Sequence, residues 1–306
     1  MSRPEGGEGR SAILAPLAVA LIWGINVPVM KAGLAELDPF LFNAARLSLS
    51  ALSLGLFSLR EPRGGGRLPW PTIALFALLS SVVYQVMFLW GMDATSASNT
   101  ALIIATGPLW TTLLSRLAGL ERITRSGAIG LGVAFSGALL VTATGARGGG
   151  SLAGDLAVLA AMIVWAWATV LSRPMLEVIS ATRLAFLSTL LSVPFHWAFA
   201  AALGGEAAPL KALSEVSGFG AFALAYSGAL STGIAYALWN TSVVRLGPAR
   251  TAAYSYLVPV VALLVAWHFL SERPRPEQLL GGGLVLAGLA WRQRVRPDAR
   301  GPATAR

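Results

Sequence analysis

The chain has 306 residues, of which 55% are hydrophobic and 12% charged, a balance that excludes a soluble domain of any size. Its formal charge of +9 is scattered between apolar stretches and forms no basic stripe or domain, which excludes nucleic acid as a partner class. The absence of cysteine removes disulfides, thiolate catalysis and thiolate metal sites, and two histidines, His196 and His268, cannot hold a metal alone.

Apolar stretches near the roughly 20 residues needed to cross a bilayer recur from Ser11 to Trp291. They predict ten transmembrane helices at about 11–33, 39–60, 71–92, 98–116, 126–144, 153–172, 183–204, 217–243, 251–270 and 276–293. The first follows a short tail, residues 1–10, and is longer than the apolar core of a signal peptide. It carries Trp23 and Asn26 three apart, Pro28, and Lys31 near its end. The second opens after Asp38-Pro39 and holds Arg46 about seven residues in. Charge at such depth is expensive and is usually paired or functional. A structural role is the favoured reading, and a substrate carboxylate is the alternative. The third brings Tyr84, Gln85, Met87 and Phe88 together, and the fourth carries Pro108 and Trp110 and ends before Glu121.

Small residues every fourth position, Ser126, Gly130, Ala134, Ala138 and Thr142, make the fifth span a packing helix. A linker, 146–152, leads into the sixth, which contains Trp165. The seventh contains Pro194 and His196, the latter without a visible acidic partner and therefore read as a packing histidine. The eighth carries a second ladder, Ala221, Ala225, Ala229, Gly233 and Ala237, beside Tyr236, Trp239 and Asn240. The ninth holds Pro259 and is followed by Glu272, the tenth is glycine-rich, and 294–306 form a tail.

Connections after even-numbered spans, with the two tails, hold 17 of the 23 basic residues, against five in connections after odd-numbered spans. Both termini are thus expected in the cytoplasm, at the inner membrane. An offset of 151 aligns Pro108 with Pro259, Glu121-Arg122 with Glu272-Arg273, and Gly130 and Gly137 with Gly281 and Gly288; an offset of 142 aligns Trp23 with Trp165. Each copy holds five spans, an odd number, so the two repeats, 11–145 and 153–293, are expected to be inverted. That architecture gives transporters two related conformations around a midplane site.

The run Ser98-Asn99-Thr100-Ala101-Leu102-Ile103, with Gly107-Pro108, Glu121-Arg122 and Gly130, returns as Gly247-Pro248-Ala249-Arg250-Thr251-Ala252, Val258-Pro259-Val260, Ser271-Glu272-Arg273 and Gly281. Over about 12–293 the chain resembles the EamA-type family of the drug/metabolite transporter superfamily. The resemblance implies a ten-helix carrier for small organic solutes, often an exporter of amino acids or related metabolites. No catalytic constellation or cofactor motif appears, so a transporter is expected and not an enzyme; a membrane-embedded enzyme or an accessory membrane protein are the alternatives.

Aromatic and amide groups deep in uncharged helices point to a weakly polar cavity for neutral or zwitterionic solutes, aromatic amino acids among them. Its expected walls are Trp23, Asn26, Tyr84, Gln85, Trp110, Trp165, Tyr236, Trp239 and Asn240, and Pro28, Pro108, Pro259, Glu121 and Glu272 are candidates for bending and gating. No cofactor is expected. The expected partners are the solute and membrane lipid, with a monomer sufficient.

Overall fold

Backbone groups in hydrocarbon have no water to bond, so apolar runs of this length close their hydrogen bonds internally as helices. The computed structural model describes residues 7–59, 61, 68–95, 100, 103–143, 151–205, 209–269 and 275–294; they are helices and short connections, with no strand among them. Helix α1 is Gly7–Leu34, α2 Pro39–Ser58, α3 Trp70–Ala94, α4 Gly107–Leu117, α5 Arg125–Ala143, α6 Leu152–Met175 and α7 Ala181–Leu203. A short α8, Pro209–Glu215, precedes α9, Gly218–Leu246. Helix α10 joins Pro248–Ala253, a 3-10 turn at Tyr254–Tyr256, and Leu257–Phe269, and α11 is Pro276–Arg294.

Side-chain caps set many of the starts. Asp38 accepts from the Phe40 and Leu41 N–H groups with Pro39 in the first turn of α2, and Ser151, Ser180 and Ser217 cap α6, α7 and α9. Among the described residues seven helices are long and apolar enough to cross a membrane: α1, α2, α3, α6, α7, α9 and the first 18 residues of α10. Of the other three predicted spans, α4 is cut to 11 residues because the chain turns at Ala105-Thr106 and restarts at Gly107, and the apolar part of α5 is only Arg125–Leu140.

The small-residue ladder of α5 holds. Gly130, Ala134 and Ala138 are buried against α11. A Cβ on Gly137 would stand 2.5 Å from the Gly281 carbonyl oxygen and 2.7 Å from the Val285 nitrogen, while one on Gly288 would stand 2.6 Å from the Gly130 oxygen and 2.5 Å from the Ala134 nitrogen. The two helices thus interlock reciprocally, backbone on backbone, the contact that draws helices together where lipid is as apolar as leucine.

The ladder expected in α9 does not hold, since Ala221 and Ala225 are exposed. Between Tyr226 and Ile234 the helix is π-helical, and its wider turn shifts the register by about one residue. The residues that meet α2 closely are Gly228, where a Cβ would lie 2.4 Å from the Arg46 carbonyl oxygen, and Gly233, 2.5 Å from Ser53 Oγ. Helix α3 is π-helical at Leu78–Val83, which the 151-residue offset maps onto the C-terminal part of the α9 stretch.

Candidate functional site

Seven helices bring side chains to one cavity with about 870 Å³ of space free of protein atoms, part of it open to solvent. Residues three, four or seven apart share a helix face, and the lining follows that rule. Helix α1 contributes Trp23, Asn26 and Met30, α3 Tyr84 and Phe88, α4 Pro108 and Thr111, α6 Met162 and Trp165, and α9 Thr232, Tyr236 and Trp239. The loop-side half of α10 adds Ala252, Ser255 and Val258, and among the described residues Arg46 of α2 is the one charged side chain lining the cavity.

Trp165 is the hub of an aromatic wall. Its ring lies 4.9 Å from Tyr84, 5.2 Å from Tyr236, 5.7 Å from Trp239 and 5.9 Å from Trp23, centroid to centroid. These are edge-on and tilted arrangements of the kind favoured by the ring quadrupoles. The indole N–H of Trp23 donates to the Ser231 carbonyl at 3.0 Å, inside the π-helical stretch of α9. Asn26 is buried and accepts from Ser227 Oγ at 2.7 Å.

A polar network runs behind this wall. Arg46, 4% exposed, donates from Nε to Asn43 Oδ1 at 2.7 Å, from Nη1 to Thr232 Oγ1 at 3.0 Å, and from Nη2 to Gln85 Oε1 at 2.6 Å. Gln85 Nε2 in turn donates to the Tyr236 hydroxyl at 2.8 Å, a bond between residues 151 apart, the offset of the sequence repeat. Asn43 Nδ2 donates to His196 Nδ1 at 3.0 Å, and His196 Nε2 donates to the Ser81 carbonyl at 2.7 Å. Since Asn43 already uses its oxygen for Arg46 and the Ser81 carbonyl can only accept, both ring contacts are met by the neutral imidazole with its proton on Nε2. His196 is a packing histidine linking α2, α3 and α7.

Of the nine residues expected in the cavity wall, Trp23, Asn26, Tyr84, Gln85, Trp165, Tyr236 and Trp239 are brought to it, while Trp110 and Asn240 are not. Trp110 lies two positions beyond Pro108, roughly 200° round the helix from it, and its indole donates to Thr106 Oγ1 at 3.2 Å. Asn240 is turned toward the start of α7, where it donates to the Ala181 carbonyl at 3.4 Å, and borders only a small secondary pocket behind Trp165 and Tyr236. The sequence reading missed Met30, Met162, Ser231 and Thr232 as wall residues. Two of them had a legible signal, Met30 four positions after Asn26 and Met162 three before Trp165, each in helical register with a chosen residue.

The gating candidates fall in different settings. Pro28 is half-buried in an unbroken α1 and does not line the cavity. Pro108 does line it, but it stands in the first turn of α4, where no helical hydrogen bond is lost, so it opens a helix and does not kink one. Pro259 likewise follows the 3-10 turn at Tyr254–Tyr256 and is half-buried outside the lining. Glu121 Oε1 accepts from the Ala249 N–H at 2.8 Å and packs against Gly247, whose φ of 84° no L side chain adopts readily. Glu272 lies outside the described residues.

The family model described as the EamA-like transporter family matches twice, at residues 10–143 and 152–291. A protein of Streptantibioticus cattleyicolor named "Probable terminal-alkyne amino-acid exporter" is 29% identical over 91% of this chain and 92% of its own length. A protein of Escherichia coli named "Probable amino-acid metabolite efflux pump" is 28% identical over 97% of this chain and 99% of its own. A solved crystal structure superposes with a TM-score of 0.81 at 19% identity, covering 93% of this chain and 98% of the other, and so shares the fold. With two matched copies filling nearly its whole length, the chain belongs to the EamA-like transporter family and is a multi-pass membrane transporter.

Proposed function

We propose that the chain exports small organic metabolites, amino acids with aromatic side groups foremost, across the bacterial inner membrane by alternating access between two inverted five-helix halves. The observation that carries this reading is the aromatic cavity, whose walls come from both halves and in which the repeat-matched pairs Trp23 with Trp165 and Gln85 with Tyr236 touch across the centre. A site on the line between two inverted copies is one that rocking of the halves can expose to either side in turn. The names of the two relatives, an amino-acid exporter and an amino-acid metabolite efflux pump, agree with the substrate class.

Hydrogen bonds between connections support ten crossings with both termini on one face. Glu36 and Asp38, after α1, bond Ser217 and Gly205, after α7, and the end of α3 meets the start of α6 through Ala94 and Ser151. Glu61, after α2, is bonded by Ser180, after α6, while Glu121, after α4, bonds Ala249, after α9. Since α9 runs from the Glu36 side to the Glu121 side, α4 and α5 each carry the chain across despite their short apolar lengths.

Counterflow of amino acids in proteoliposomes tests the proposal. Tyr84→Ala and Trp165→Ala should each weaken apparent affinity by about tenfold or more, as expected for loss of aromatic contact at a well-packed site, while Trp291→Ala, far from the cavity beside Ser126, should leave it unchanged. A folded Trp165→Ala protein with unaltered affinity, or no flux of any amino acid by the native chain, would sink the reading.

A further inference from the structure

Arg46 is a buried cation without an anion. Its three bonds go to the neutral acceptors Asn43, Gln85 and Thr232, and among the described residues it makes no ion pair. Ionisable groups held within a membrane bundle normally pair with one another or serve the transported species. A guanidinium has five N–H groups. Three are used here, which leaves one on each terminal nitrogen, the pair of donors that a carboxylate engages with both oxygens.

The fold itself does not call for arginine at this place. When α2 and α7 are aligned on their cap residues, Asp38 and Ser180, the position matching Arg46 is Ser188, a buried hydroxyl bonded to its own helix. The two copies have therefore diverged at a wall position that carries charge. Around Arg46 the wall is made of ring faces, thioethers and neutral amide and hydroxyl groups, and among the described residues no Asp or Glu lines the cavity. The indole N–H of Trp239, another wall residue, also lacks an acceptor among the described residues. The site thus offers unused donors and a positive charge to an acid, but only ring faces and neutral hydroxyl and amide groups to an ammonium group.

We infer that Arg46 is the receptor for a carboxylate on the transported solute, and that the solute's amino group has no charged counterpart in the wall. The cavity then selects aromatic carboxylates over the matching amides and amines, whether or not the acid also bears an amino group. This rests on the cavity being the transport site for aromatic amino acids and names the group by which it holds them.

The test is binding to the purified full-length protein in detergent, read by ligand-dependent thermal shift with four probes: L-phenylalanine, 3-phenylpropionate, L-phenylalaninamide and phenethylamine. The two acids should bind comparably, and the amide and amine at least about tenfold more weakly, the scale of a charge-assisted hydrogen-bond pair. Arg46→Gln should bring the acids down to the level of the amide. An amide or amine that binds the native protein as tightly as the acids, a 3-phenylpropionate that fails where phenylalanine binds, or an acid preference that survives in Arg46→Gln would each overturn the inference while leaving the aromatic site standing. Failure of all four probes would overturn both readings. The native panel decides on its own if Arg46→Gln does not fold.

Discussion

His196 ends a one-way chain of hydrogen bonds that begins at Arg46 and passes through Asn43 to the Ser81 carbonyl. Every group in the chain is buried, so removing the imidazole leaves a donor and an acceptor unpaired, each at about 1–3 kcal/mol. His196→Ala should therefore lower the unfolding midpoint in detergent, whereas the pH profile of flux should keep its shape, because the ring carries no spare acceptor for a second proton. A profile displaced along the pH axis in that variant would mean that His196 takes part in proton coupling. The role of His196 was legible from the sequence only as an absence, the lack of a nearby acid. Its partners come from helices more than a hundred residues away, and no periodicity carries that information. The same holds for Arg46, whose depth in an apolar run was plain while its neutral partners were not.

At the scale of the helix, the sequence was readable wherever the backbone kept an α-helical period. The four-residue ladder of α5 leads to the real interface with α11, but in α9 the π-helical stretch moves the contact from Ala229 to Gly228, a shift that side-chain spacing does not announce. The reciprocal interlock predicts a contrast among four glycines. Gly137→Leu or Gly288→Leu would drive a side chain into backbone and should destabilise the protein by about 1–3 kcal/mol, while Gly132→Leu and Gly283→Leu, with nothing within 4 Å, should be tolerated. Equal thermal shifts in all four would show that α5 and α11 do not pack in this way. The connection after α1 carries a second testable feature. Ser217 donates its hydroxyl and its backbone N–H to Glu36 and holds that carboxyl below its ordinary value of 4.5. A lowered folded-state value means the tether is intact above the carboxylate range and is lost as pH falls through it. Glu36→Gln should therefore lower stability slightly at neutral pH, where the tether is intact, have no effect once pH is well below about 4.5, and so remove part of the acid sensitivity of unfolding.

For the molecule as a whole, the family and the two matched copies were legible from repeated motifs, and composition made the membrane certain, yet the number of crossings is harder to read because α4, α5 and α11 are short or weakly apolar. The decisive position is the tip between α4 and α5. If those helices cross, Leu120 shares a face with Ala249 and Glu177; if they lie flat, it shares one with Thr95 and Ser214. The hydrogen bond from Ala249 to Glu121 favours the first arrangement, and the excess of arginine after even-numbered spans predicts that this face is cytoplasmic. The native chain lacks cysteine, so single replacements report cleanly. In intact cells an impermeant maleimide should label Ser214→Cys, which is exposed, and should leave Leu120→Cys, Glu177→Cys and Arg300→Cys unlabelled until the membrane is permeabilised. Labelling of Leu120→Cys together with Ser214→Cys would reduce the number of crossings below ten and remove the odd count per repeat from which the inversion of the two halves follows.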